Sequence, residues 1–303
     1  MVDLVKAKEW EKKAVINRID VTAFQHSFME SAMACPAPEG PWRTPKFVRY
    51  VRDKRSWPGI TYITDKVLHA APQIESKFKV AILQEPPELL PQIYEIIQQF
   101  ESHYDIIFTY VQELLDRDPE KYVFYPPDMP ALEPAACKMH DKTKLASMIY
   151  SSKQNLPGHK LRHRIANEYI IGQELGEKID LFGTGTSNPI KNKSEGCIDY
   201  MFQIAIENAK RTNFFADKIL DCFISGCVPI YWGCPNIGDF FDTRGILTFE
   251  TDEELLEILN NLSEEKYFNM LEYAKKNYEL SQQYQWPDDF FFTKVMERLK
   301  GDR

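Results

Sequence analysis

From residue 79 onward the chain alternates between short apolar runs and stretches with helical spacing, and this alternation limits the folds open to it. KVAILQE (79–85) is an apolar run closed by Pro86-Pro87, the pattern of a buried strand. ELLPQIYEIIQQF (88–100) follows with helical spacing, with Pro91 in its first turn. YDIIFTYV (104–111) reads as a strand, QELLD as the start of a short helix and KYVFYPPD (121–128) as a third strand. Strands separated by helices need crossover connections, and crossovers make a parallel sheet. Four prolines between 126 and 137 interrupt the pattern, and this stretch is expected to link two domains. The alternation then restarts, with strands at 144–152, 178–185, 201–208, 228–233 and 245–249. Helices are expected at 159–175 and 215–226, followed by three more towards the carboxyl terminus. The expected architecture is α/β: two doubly wound, Rossmann-like domains facing a cleft. The expected division is 1–135, 136–280 and a carboxyl-terminal helix, 281–303. Such sheets bind ligands outside the carboxyl ends of their strands. The first seventy-odd residues, with prolines clustered between 36 and 58, show no clear period.

At 303 residues and 44% hydrophobic, the chain is long and apolar enough for two cores. No apolar run approaches the roughly 18 residues of a membrane span. The opening MVDLVKAKEWEKKAV is charged throughout, unlike the apolar core of a secretory leader. The net charge of −8 disfavours a nucleic-acid coat or a polybasic membrane binder. None of the six cysteines forms a C-x-x-C pair, so buried free thiols are expected, and these suit a reducing, cytoplasmic compartment.

The densest chemical signal runs from Gln203 to Phe241, QIAIENAKRTNFFADKILDCFISGCVPIYWGCPNIGDFF. An apolar strand ends at Glu207-Asn208, a polar loop follows, and Asp217-Lys218 lies in the first turn of an apolar helix. A helix N-terminus carries unsatisfied N–H groups and partial positive charge, which suit a diphosphate. A lysine there adds a countercharge, and the adjacent carboxylate can accept hydrogen bonds from sugar hydroxyls. The plainer reading of this motif makes Asp217 a helix-dipole partner and Lys218 a solvated charge. A local basic cluster of Arg162, Lys210, Arg211 and Lys218 stands out against the acidic whole and marks where an anionic ligand would sit.

ENAKRTNFFADK, then GCVPIYWG and a Pro-Asn-Ile-x-x-Phe-Phe tail, resembles the carboxyl-terminal signature of the family 10 glycosyltransferases, the α-1,3/α-1,4-fucosyltransferases. Upstream, KLASMIYSSK, an arginine-bearing helix and IDLFGTG are similar to the preceding motifs of that family. The resemblance covers about residues 140–250 and touches the first domain only faintly. It implies a GT-B-type fold with an amino-terminal acceptor-side domain and a nucleotide-sugar-binding domain. It also implies an inverting, metal-independent transfer of fucose from GDP-fucose to a hydroxyl of a glycan acceptor, with no cofactor required.

Carried over residue by residue, the resemblance puts Asp217 and Lys218 on the ribose and the diphosphate, and Asn208 near the donor. Arg162 would grip the diphosphate, with Arg164 as the alternative; a guanidinium suits a diphosphate better than an ammonium does. Phe214 stands where the family often has a tyrosine, and Ala216 stands in place of the threonine of its Thr-Glu-Lys triplet. The general base is expected at Glu85, at the end of a buried strand, with Glu88 as second choice and helix opening as its plainer role. Animal relatives are typically Golgi-anchored, so an unanchored chain points to a bacterial or viral cytoplasmic enzyme.

Other signals carry less. Gly183 and Gly185 in FGTGTSN lack a third glycine at dinucleotide spacing and read as a strand-ending turn. Asp116-Arg117-Asp118 spells D-x-D but sits in a charged loop before Pro119. Phe290-Phe291-Phe292 reads as core packing, while Tyr231-Trp232 reads as core or as a stacking platform. The rival classes are a GT-B enzyme using another nucleotide-sugar, such as a UDP-sugar in an exostosin-like enzyme, and a non-catalytic glycan- or nucleotide-binding protein.

Overall fold

The computed structural model describes residues 14–19, 46–52, 54–83, 87 and 90–301. The chain divides into two compact units, Met1–Pro127 with Trp286–Arg303, and Asp128–Gln285. The first boundary falls some eight residues earlier than the sequence suggests.

The first unit holds a six-stranded parallel sheet in the order β2-β1-β3-β4-β5-β6. Its strands are β1 (Ala14–Ile19), β2 (Val48–Arg52), β3 (Ser56–Thr64), β4 (Glu75–Ile82), β5 (Ile106–Thr109) and β6 (Tyr122–Phe124). The last three match the apolar runs read from the sequence. Helix α1 (Pro91–Phe100) buries Ile93, Tyr94 and Ile97 against the sheet, with Pro91 in its first turn, and α2 (Gln112–Arg117) follows β5. Three strands lie in the stretch that showed no period. β1 is hidden because it places a polar residue, Asn17, at full burial. The Asn17 amide donates to Lys54 O at 2.8 Å and to Thr61 Oγ1 at 3.2 Å, while its Oδ1 accepts from Lys54 N. Pro58 disguises β3, whose pairing with β4 shifts register between Trp57 and Ile60, the kind of irregularity that accommodates proline in a sheet.

The second unit holds a five-stranded parallel sheet in the order β11-β10-β9-β7-β8. Its strands are β7 (Lys144–Ile149), β8 (Ile179–Phe182), β9 (Tyr200–Ile206), β10 (Val228–Trp232) and β11 (Leu247–Thr248). Every residue of β9 is buried, as expected of a central parallel strand covered on both faces. Its helices are α3 (Pro157–Ile165), α4 (Asp217–Ser225), α5 (Asp252–Asn260) and α6 (Glu264–Ser281). α3 is shorter than its sequence suggests. It runs into a π turn (Ala166–Ile170), where Ile171 N donates to Ala166 O. Gly172, at φ 71°, then turns the chain away.

The proline-rich segment after residue 127 belongs to this unit rather than hanging free. Met129, Leu132 and Ala136 are buried, and the Asp221 carboxylate accepts from Ala131 N at 2.6 Å and Leu132 N at 3.2 Å. Proline removes the periodicity that would reveal such a packed segment, and a buried carboxylate supplies the hydrogen bonds that secondary structure would otherwise provide.

The last helix, α7 (Pro287–Gly301), is part of the first unit and not a separate appendage. Asp289 accepts from Lys46 N and Phe47 N, both at 2.9 Å, and Asp288 accepts from Tyr50 Oη at 2.6 Å. Phe291 is 2% exposed and packs on Tyr62, Phe108 and Tyr125, as core packing requires. Among the described residues no helix is long and apolar enough to cross a membrane.

Candidate functional site

The strand order reverses in the second sheet between β7 and β9: β8 lies on one side of β7, and β9 through β11 lie on the other. Parallel α/β sheets open a crevice at such a switch, outside the carboxyl ends of the strands. A cavity of about 360 Å³ sits there. Tyr150 and Ser151 after β7, Gly183 and Thr184 after β8, Ile206 and Asn208 at the end of β9, and the first turn of α4 line it. Gly183 has φ 105°, and a Cβ there would lie 2.4 Å from Tyr150 O, so FGTG makes a strand-ending turn that also forms one wall.

α3 and α4 bring the charged side chains in. α4 starts at Asp217 after Ala216, which offers no side-chain cap. Its start is fixed from behind by Phe215, fully buried among Phe240, Phe241 and Tyr284, so the Phe-Phe of the sequence tail anchors this helix. Glu207 ties the same point to β9, its Oε1 accepting from Ala216 N at 2.9 Å. α3 approaches β9 so closely that a Cβ on Gly158 would lie 1.7 Å from Glu207 O. Gly158 N donates to Asn208 O at 3.0 Å. This contact brings Arg162, one turn on, to the cavity.

Arg162 is 6% exposed. Its Nη2 donates to Asn208 Oδ1 at 2.6 Å, and its Nε is buried without a hydrogen-bond partner. An unpaired buried guanidinium N–H costs free energy until something accepts from it. Lys218 Nζ lies 2.6 Å from Asp217 Oδ1 and 3.6 Å from Glu207 Oε2. Lys193, from the turn between β8 and β9, bonds Asp217 Oδ2 and lies 3.3 Å from Asp221 Oδ2. Burial pushes the Glu207 carboxyl up to about 7 and that of Asp221 up to about 6. Burial acts on Asp217 in the same direction, yet Lys193 and Lys218 together hold it well below the usual carboxylate range. Burial, with Arg162 beside it, lowers the His159 imidazole. Near neutral pH the cavity lining therefore carries four cations, Lys153, Arg162, Lys193 and Lys218, against two carboxylates, Asp217 and Asp221, a positive excess suited to a multivalent anion.

The structure brings Arg162, Asn208, Asp217 and Lys218 together on this cavity. Arg164 instead pairs with Asp252 on the surface, where Tyr169 Oη also donates to Asp252 at 2.6 Å. Phe214 is half-buried and does not line the cavity. Of the expected basic cluster, Arg162 and Lys218 line the cavity while Lys210, paired with Glu250, and Arg211 do not; Lys193 joins them instead. Lys193 was missed because KNKSEG is a polar loop without periodicity. Glu85 and Glu88 lie outside the described residues, as does Cys35. The other five cysteines are free thiols, four of them buried. Asp118, of the D-x-D sequence, accepts from Glu120 N and Lys121 N, which is a turn-capping role. Tyr231 is core, its hydroxyl accepting from Cys234 N at 3.0 Å, and Trp232 packs at the edge of the second unit's core.

The fold and cavity define a parallel α/β protein with an anion-receiving site at a topological switch point. The family model for the carboxyl-terminal region of glycosyltransferase family 10 (fucosyltransferase) matches residues 139–302, more than half of the sequence, and the chain belongs to that family. It is 30% identical over 87 residues to the α-(1,3)-fucosyltransferase FucT of Helicobacter pylori, covering 27% of this chain and 18% of that one. It is 36% identical over 72 residues to α-(1,3)-fucosyltransferase B of Drosophila melanogaster, covering 22% of this chain and 16% of that one. The match thus spans under a fifth of either relative. Crystal structures of an α1,3-fucosyltransferase with GDP-fucose and with GDP superpose with TM-scores of 0.51 and 0.53 at 15% and 16% identity. They cover 86% and 84% of this chain and 81% of theirs in each case. At that identity the likeness is one of fold, α/β with two parallel sheets as in the GT-B fucosyltransferases.

Proposed function

We propose that the protein is an inverting glycosyltransferase that transfers fucose from GDP-fucose to a hydroxyl of a glycan acceptor. The cavity carries this reading: a buried guanidinium with a free N–H, two lysines and the uncapped start of α4 converge at the switch point of a sheet in a family 10 chain. Arg162 and Lys218 supply the countercharge for a diphosphate, and Asp217 a carboxylate for the ribose hydroxyls. As the bond between the fucose anomeric carbon and the β-phosphate oxygen breaks, charge accumulates on the diphosphate, where these cations stabilise it. The acceptor oxygen attacks from the opposite face and forms the new glycosidic bond, its proton passing to Glu85 as general base. GDP leaves with the electron pair of the broken bond. Arg162 and Lys218 give the leaving group its countercharge without a divalent ion, so transfer is expected to persist in EDTA. A cytoplasmic location and a role in glycan biosynthesis complete the proposal.

Calorimetry with GDP and UDP, together with transfer from labelled GDP-fucose to an acceptor panel, tests it. GDP binding, transfer with inversion, and a Glu85→Gln variant that binds GDP yet fails to transfer are the expected results. Preference for UDP would move the donor to another nucleotide-sugar. Binding without transfer to any acceptor would make the chain a nucleotide-binding protein. Wild-type turnover by Glu85→Gln would remove Glu85 as the base.

A further inference from the structure

Lys193 belongs to no motif of the family signature quoted above, yet its ammonium stands at the centre of the cavity's charge network. It bonds Asp217 Oδ2 and lies 3.3 Å from Asp221 Oδ2. Those two carboxylates lie four residues apart on one face of α4, where like charges repel unless a cation stands between them. Asp221 is in turn fixed by Ala131 N and Leu132 N, so Lys193 joins α4 to the packed segment after residue 127. The turn that carries the lysine is itself held. Ser194 Oγ donates to the Glu133 carboxylate, and Gly196 O accepts from Ser147 Oγ at 2.5 Å and Gln203 Nε2 at 2.9 Å. The Glu195 carboxylate accepts from Lys191 N and Asn192 N at its start.

The two oxygens of Asp217 are divided between two lysines, Oδ1 towards Lys218 at 2.6 Å and Oδ2 towards Lys193. Remove Lys193, and Asp217 is free to turn both oxygens onto Lys218 and occupy the ammonium that would meet the diphosphate. We infer that Lys193 is a positioning residue: it holds Asp217 to one side and so keeps Lys218 available to the donor's diphosphate. This rests on the reading of the cavity as a donor site and adds to it the residue that sets the geometry of its lysine.

The experiment measures GDP affinity by calorimetry, thermal midpoint, and the KM and kcat for GDP-fucose. It compares wild type, Lys193→Met, Lys193→Arg and the double variant Lys193→Met/Asp221→Asn. Lys193→Met is expected to weaken GDP binding about tenfold, the scale of a lost charge-assisted contact. It should raise KM by a similar factor and change kcat by less than about twofold, while Lys193→Arg returns affinity to within about threefold of wild type. In the double variant the uncompensated buried carboxylate is gone, so the thermal midpoint is expected to recover while GDP affinity stays weak. If affinity recovers along with the midpoint, or if Lys193→Met binds GDP as wild type does, the positioning role is overturned. A wild-type protein that binds no nucleoside diphosphate overturns the donor-site reading itself, and the inference with it.

Discussion

Arg162 and Arg164 stand two positions apart on α3 and meet different surroundings. The first is buried, with one nitrogen on Asn208 and another unpaired, and the second forms a surface pair with Asp252. Replacing Arg162 with Lys keeps the charge but loses the planar fork that reaches both Asn208 and an anion, and GDP affinity is expected to fall about 10- to 100-fold by calorimetry. Arg164→Ala, which removes only an exposed pair, should leave affinity within about twofold. The sequence left these two arginines as alternatives because residues two apart on a short polar helix are told apart only by which side meets the sheet. Glu207 sets a pH dependence. Its carboxyl is raised to about 7 by burial, so between about pH 5 and 7 the folded state holds more protons than the unfolded chain. Stability is therefore expected to rise as pH falls from about 7 to 5 and to drop again below about 4, where the unfolded chain protonates the aspartate that the two lysines keep ionised at Asp217 in the fold. Urea denaturation across that range checks the sign, and Glu207→Gln should reduce the rise, leaving the smaller part that Asp221, raised to about 6, contributes.

At the scale of elements, the site depends on how closely α3 approaches β9. A side chain on Gly158 meets backbone at Glu207 and Asn208, which cannot move aside as a flexible side chain would. Gly158→Ala is expected to cost about 3 kcal/mol or more, because α3 must withdraw as a body. Arg162 would withdraw with it, so GDP affinity should fall even in protein that remains folded by circular dichroism. The elements themselves were largely legible: β4, β5, β6 and the second unit's five strands overlap the apolar runs. Their ends were less so, since α3 gives way to a π turn at Ala166 without any helix-breaking residue before Gly172. β1 and β3 escaped because Asn17 and Pro58 break the pattern that signals a strand. Sheet neighbours that satisfy the one and a register shift that accommodates the other are not local features.

For the whole molecule, the chain visits the first unit, builds the second and returns to the first with α7. Phe291 packs against three aromatic rings of the first unit's core, so Phe291→Ala is expected to cost about 3–5 kcal/mol of that unit's stability. GDP binding should be retained in the variant wherever the second unit stays folded, a separation that denaturation with and without nucleotide would measure. The sequence by itself determined the parallel α/β class, the strand–loop–helix segment that carries Asn208, Asp217 and Lys218, and the family, because strand and helix periods and contiguous motifs are written along the chain. Only the tertiary structure decided that α7 belongs to the first unit, that the proline-rich segment packs on Asp221, and that Lys193, rather than Lys210, completes the charge cluster. These pairings bring together residues 24 to about 240 positions apart, and they are fixed by hydrogen bonds and buried charge whose partners no local pattern specifies.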